Sequence, residues 1–233
     1  MQAAHVPLAP AAWPGAQSTR WGLKINRNAL QEPPSPMHRP DRLAALRLLY
    51  YEPMESLGAA MAGQLTGDGL KRVQHVHSLD RFEAALRAED PHALLLEMDV
   101  HGDDLIQLVR RVRRGRIGLD PFVAAIACKS QVTSELARTY AAAGFDHVLN
   151  KPHSAETVIA HLKEIAAKPR RFIAAKGYVG PDRRRGLRDA GQQGVMEVPN
   201  RIAAMLQGAP VEAEGYAARI AAWRGMLSQI AVV

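Results

Sequence analysis

Cysteine is almost missing from this chain: Cys128 is the only one in 233 residues, so no internal disulfide can form and a thiolate-built structural zinc site is disfavoured. A lone cysteine in an apolar run reads as a small buried hydrophobe, and the scarcity fits a reducing, cytoplasmic setting. Long apolar runs are missing too. None approaches the roughly 18 residues of a membrane span, and prolines interrupt the leader where a signal peptide would need an unbroken apolar stretch. There is no glycine-rich phosphate loop, no nucleophile elbow and no metal-ligand spacing, so the chain is not expected to be an enzyme. His92, His101, His147 and His153 are scattered and read as surface or loop side chains, and neither metal nor cofactor is expected.

Hydrophobic residues make up 47% of the chain, enough for a real core. The formal charge of +7 is local: eight basic residues and one acid lie between Lys168 and Arg188. Residues 1–42 take in seven of the fifteen prolines and show no periodicity, which predicts a disordered leader. From 43 to 168 short apolar runs alternate with amphipathic stretches. The predicted strands are 46–51, 70–76, 93–98, 122–128 and 146–149, with helices at 54–65, 79–87, 104–113, 132–143 and 155–166. This alternation predicts an α/β fold, a doubly wound five-stranded parallel sheet with helices on both faces, because each parallel crossover needs a helix. Ser78 and Ser154 are expected to cap their helices, and Gly144 to end the fourth.

Residues 169–195 read as a basic linker, with Arg183, Arg184 and Arg185 as possible contacts to a polyanion. Residues 196–233 read as a helical extension of two helices split at Gly208-Ala209-Pro210. The second carries an apolar seam of Tyr216, Ile220, Trp223, Leu227 and Ile230, too short for an independent coiled coil. It must be covered by its own domain, by a second copy or by a partner. No helix-turn-helix pattern follows the linker, so weak, salt-sensitive nucleic-acid contact is the most that it predicts.

In a doubly wound sheet, ligands sit at the carboxyl ends of the strands. Those ends read YYEP after strand one, LLLEMDVHGDD around the end of strand three, and AAAGFDHVLNKPHS across strand five. Together they resemble the receiver domain of bacterial two-component response regulators, over about 125 residues. Gly144 followed seven positions later by Lys151-Pro152 is the most specific part of the likeness.

The resemblance implies a pocket with an acidic pair for magnesium, a phosphoacceptor aspartate, a small hydroxyl residue and a lysine. This chain departs from it. Tyr50 and Tyr51 stand in the acidic pair's positions, with Glu52 next, and Glu97 stands at the acceptor. The hydroxyl position falls on Cys128 or Lys129; Lys151 alone is retained. Neutral phenols are weak magnesium ligands, so magnesium-dependent phosphorylation is not expected, and Glu97 is free to pair with Lys151. The reading that follows is an atypical receiver acting in signal transduction by phosphorylation-independent contact with protein partners such as a kinase or regulator. Self-association through the last helix is a further expectation. The alternatives are a nucleic-acid-associated regulator, and a phosphoacceptor that uses Asp99 with Glu52 as one metal ligand. Docking is expected on the face around 132–167, which would offer Tyr140, His147, Val148 and Lys151. Val148 stands where the family often keeps an aromatic switch residue.

Overall fold

The computed structural model describes residues 42–183, 194–208 and 213–231. The expectations for the leader to residue 41, and for Arg184 and Arg185, lie outside the described residues. A 3-10 turn at Arg42–Ala45 leads into β1 (Arg47–Tyr51), α1 (Glu55–Gly67), β2 (Arg72–Val76), α2 (Leu79–Ala88) and β3 (Ala93–Glu97). The chain continues through α3 (Gly102–Arg113), β4 (Ala124–Ser130), α4 (Ser134–Ala143), β5 (His147–Lys151) and α5 (Ala155–Ala166). All five strands are parallel in the order β2-β1-β3-β4-β5, as the alternation predicts.

Period-2 alternation divides the core between the two sheet faces. Leu49, Tyr51, Leu94, Leu96, Ala125 and Ala127 pack under α2, α3 and α4, while Leu48, Tyr50, Leu95, Ile126 and Cys128 pack with α1 and α5. The side-chain oxygens of Ser78 and Ser154 accept from the amides of Arg81 and Thr157, so both expected N-caps form. Gly144 ends α4 in the left-handed region. Strand four lies two residues later than expected, because Phe122 turns away from the sheet into a separate aromatic cluster.

The linker reading of 169–195 is corrected. Within it lie β6 (Arg170–Ala175) and β7 (Tyr178–Pro181), and β8 (Val195–Val198) straddles its end; they form an antiparallel sheet in the order β7-β6-β8. Basic composition masks a strand-like alternation: Arg170, Phe172 and Ala174 turn inward between half-buried Arg171 and Ile173. Two helices follow, α6 (Arg201–Gln207) and α7 (Ala213–Ala231), with Gly208 closing the first as expected.

The apolar seam of α7 lies on this small sheet. Tyr216 and Trp223 are buried with Phe122, Phe172, Met196 and Val198, and Ile220, Leu227 and Ile230 pack against them. Of the alternatives for the seam, the chain's own domain covers it. Ile202 of α6 joins the core beneath α5. The helical extension is therefore part of one packed body with the α/β sheet.

Buried charge joins the two layers. Arg113, whose place at the basic end of α3 suggests a solvated side chain, is fully buried and donates to the carbonyls of Gly144, Pro121 and Val123 and to Asp146. Arg170 reaches Asp146 (2.5 Å) and the Phe122 carbonyl (2.7 Å), and Arg201 pairs with both Asp90 and Asp120. Tyr216 donates to Asp120, and the Trp223 indole donates to the Arg113 carbonyl (2.8 Å).

Candidate functional site

The strand register brings the chemistry-bearing residues to one end of the sheet. Glu97 pairs with Cys128 and Ser130 with Lys151, so the last residues of β3, β4 and β5 stand in a row. Lys151 places its Nζ 2.7 Å from Glu97 Oε1, 3.4 Å from Asp99 Oδ2 and 3.7 Å from Glu52 Oε2. Asp99 is held from the other side: Lys129 Nζ (3.1 Å), the Ser130 amide (3.1 Å) and the Ser130 hydroxyl (3.0 Å) all donate to it. The Asp99 amide donates to Glu97 Oε1 (2.8 Å), and the Met54 amide to Glu52 Oε1 (3.0 Å).

Glu97 and Glu52 are buried; Asp99 is partly exposed at the rim. Burial pushes the Glu97 carboxyl above its ordinary value, against the hydrogen bond from Lys151. Burial also opposes the charge on Lys151, but the Glu97 carboxylate outweighs it and holds the ammonium above its usual range. Asp99 goes the other way: burial is overcome by its coupling to the neighbouring Glu97 carboxyl and by the hydrogen bonds that Lys129 and Ser130 donate, which hold the carboxyl well below the usual range.

The expected site residues divide by sheet face. Tyr50 packs on His75 with the rings tilted (5.4 Å between ring centroids), and Tyr51 meets Phe82 edge-on (5.9 Å). Burial raises both phenols, Tyr51 to about 12, so each stays neutral and serves as core. Cys128 is buried under α5 with its thiol pushed up by burial, whereas Lys129 and Ser130 reach the pocket. Of the two candidates for the hydroxyl position, Lys129 is thus the one at the site, and the sequence pattern does not reveal Ser130 beside it. Three carboxylates face the pocket in shifted positions, so its acidity is displaced and already paired.

That arrangement does not fit a magnesium ion. The ammonium of Lys151 stands where Glu97, Glu52 and Asp99 approach one another, and the residues at the end of β1 that would offer oxygens are buried phenols.

Two residues expected on the docking face are placed differently. Tyr140 is buried and packs on Phe145 (5.5 Å), and Val148 is half-buried against the same core. His92, expected at the surface, is buried and accepts from the Arg47 amide through Nδ1 (3.0 Å). Arg183 is exposed at the lip of a cleft of about 970 Å³ between β5, α5 and the small sheet.

Strand order 2-1-3-4-5, with a lysine from β5 reaching the carboxylate that ends β3, decides the fold type. The chain carries a receiver-like domain. Solved structures similar to it include an orphan response regulator of H. pylori (18% identity, covering 52% of this chain and 96% of that one, TM-score 0.44). A response regulator from Thermotoga maritima is also similar (18% identity, 53% and 99%, TM-score 0.46), as is a CheY-like receiver domain protein from Methanospirillum hungatei (17% identity, 51% and 91%, TM-score 0.45). At these identities the likeness is one of fold. No protein-family model matches the sequence, and neither does any curated protein.

Proposed function

We propose that this receiver-like domain works in signal transduction as a protein-docking module that does not depend on phosphorylation. The observation that carries the reading is the Lys151–Glu97 pair at 2.7 Å, with Asp99 held by Lys129 and Ser130. A receiver pocket that accepts a phosphoryl group needs a free carboxylate, a metal to neutralise charge and a lysine ready to follow the phosphate. Here the lysine is already engaged, and its ammonium stands against the buried carboxylate at the acceptor position, where a metal would have to approach. The domain is held in one state, and its partners read a fixed surface.

The test is incubation of the full chain with acetyl phosphate and magnesium, followed by intact-mass measurement. The expected outcome is no mass increase. A second reading rests on Asp99, the carboxylate that receives both a hydroxyl and an ammonium and is the most exposed of the three. A gain of one phosphoryl mass that vanishes in Asp99→Asn would establish that reading and overturn the first.

A further inference from the structure

Away from the Lys151 pocket, the first residue of β5 meets α5 in an arrangement that its sequence spacing conceals. His147 Nδ1 lies 3.2 Å from His161 Nδ1 and 3.9 Å from Glu164 Oε2, and His161 Nδ1 lies 3.4 Å from the same oxygen. Among the described residues this is the one group of three His, Cys, Asp or Glu side chains whose ligand atoms converge in this way. His161 and Glu164 are three apart on one helix face, and β5 brings in His147 from 14 positions upstream. We infer that His147, His161 and Glu164 form a binding site for a divalent transition-metal ion of the zinc class.

The distances carry the argument. Zinc bonds of about 2.0–2.2 Å to nitrogen and oxygen in a tetrahedral shell place neighbouring ligand atoms roughly 3.3–3.5 Å apart. The three separations of 3.2, 3.4 and 3.9 Å bracket that edge length. Without an ion, two Nδ1 atoms that face each other can share only one proton, and each imidazole keeps that edge from any better partner. An ion accepts both nitrogen lone pairs at once.

The chemistry of the donors agrees with the geometry. Neutral imidazole is the ligand form, and each ring then offers one nitrogen lone pair to an ion. Lys168 takes Glu164 Oε1 (2.6 Å), which orients the carboxylate with Oε2 toward the imidazoles. Two imidazoles and a carboxylate suit zinc, cobalt and nickel over magnesium or calcium. All three side chains are partly exposed, so the fourth position is left for water, and the cleft beside His147 gives an ion a path in. A bound ion would tie β5 to α5 on a face of the domain independent of the Lys151 pocket.

The experiment uses the full chain stripped with a chelator. Zinc binding is followed by titration calorimetry, and Co²⁺ serves as a spectroscopic probe whose visible absorption is intense in a four-coordinate site. Expected is one zinc equivalent and an intense Co²⁺ spectrum, both abolished in His161→Ala. Glu164→Gln should weaken zinc by roughly tenfold or more, as loss of one charged ligand costs on the order of 1.4 kcal/mol or above. Lys168→Ala, which leaves all three ligands, should keep the Co²⁺ spectrum. Far-ultraviolet circular dichroism checks that each variant is folded. Absence of zinc binding by the parent chain would overturn the assignment, as would an unchanged stoichiometry and Co²⁺ spectrum in both folded ligand variants.

Discussion

At the scale of single residues, Lys151 has the role that a bound cation would otherwise fill. Its Nζ compensates Glu97, whose side chain is only 2% exposed. Replacing it with methionine leaves that carboxylate buried with the Asp99 amide but without the Lys151 charge, a change that costs about 3–5 kcal/mol when the stranded charge stays ionised. Glu97 has another course, because burial already raises its carboxyl above the ordinary value, so in Lys151→Met it takes up a proton. A carboxyl raised in the folded state contributes stability that is present below its unfolded value and lost as pH rises through the folded value. Urea denaturation should therefore show Lys151→Met less stable than the parent by about 1–3 kcal/mol at neutral pH, with the deficit shrinking toward pH 5. Adding Glu97→Gln should recover most of it. This pairing was legible in the sequence, since only Lys151 kept its place while the acceptor remained a carboxylate. The grip of Lys129 and Ser130 on Asp99 was not, because it depends on β4 extending two residues beyond its expected end.

At the scale of elements, five strands and five helices were legible because each repeats its apolar positions with its own period over enough residues to be seen. The strands β6 and β7 were not, for they have six and four residues and the first begins with two arginines. Charge marks a segment as solvated only when no acid waits for it inside the fold, and Asp146 does so here. The small sheet also turns on two glycines with positive φ, Gly177 at 87° and Gly194 at 85°. A Cβ at Gly177 would meet open space, whereas at Gly194 it would lie 2.3 Å from the Ala174 carbonyl oxygen. Gly177→Ala should thus cost about 1–2 kcal/mol for the left-handed backbone alone. Gly194→Ala must also part β8 from β6, where Ala174 donates to the Gly194 carbonyl, and should cost at least about 1 kcal/mol more in thermal or urea unfolding. Equal costs would mean that β8 contributes little to the packing of α7.

For the whole molecule, the two ends of the parallel sheet have different work. The carboxyl ends of β3, β4 and β5 carry the Lys151 cluster, while Phe122, before β4, and Arg113, at the end of α3, are covered by the small sheet and α7. Composition suggested a neutral domain followed by a basic arm, and that division fails at Arg170. Its guanidinium is buried, is paired with Asp146 beside Arg113, and lies 5.0 Å over the Phe172 ring, so a formally surplus charge lies inside the fold. Arg171, the next residue, reaches Asp182 only at 4.0 Å and stays partly exposed. The contrast predicts two outcomes from neighbouring, chemically identical substitutions. Arg170→Met leaves Asp146 with the Arg113 guanidinium and the Ala125 amide and takes from the Phe122 carbonyl the Arg170 donor, and should cost about 3 kcal/mol or more. Arg171→Met loses a long pair from a partly exposed guanidinium and should cost clearly less, about 1 kcal/mol. Because Arg170 lies between the two layers, its loss should separate their unfolding, so that near-ultraviolet dichroism from the Trp223 cluster is lost before the far-ultraviolet signal of the parallel sheet and its helices. A single coincident transition in Arg170→Met, at the parent midpoint, would show that the apolar cluster around Phe122 and Trp223 holds the layers together without the buried charges.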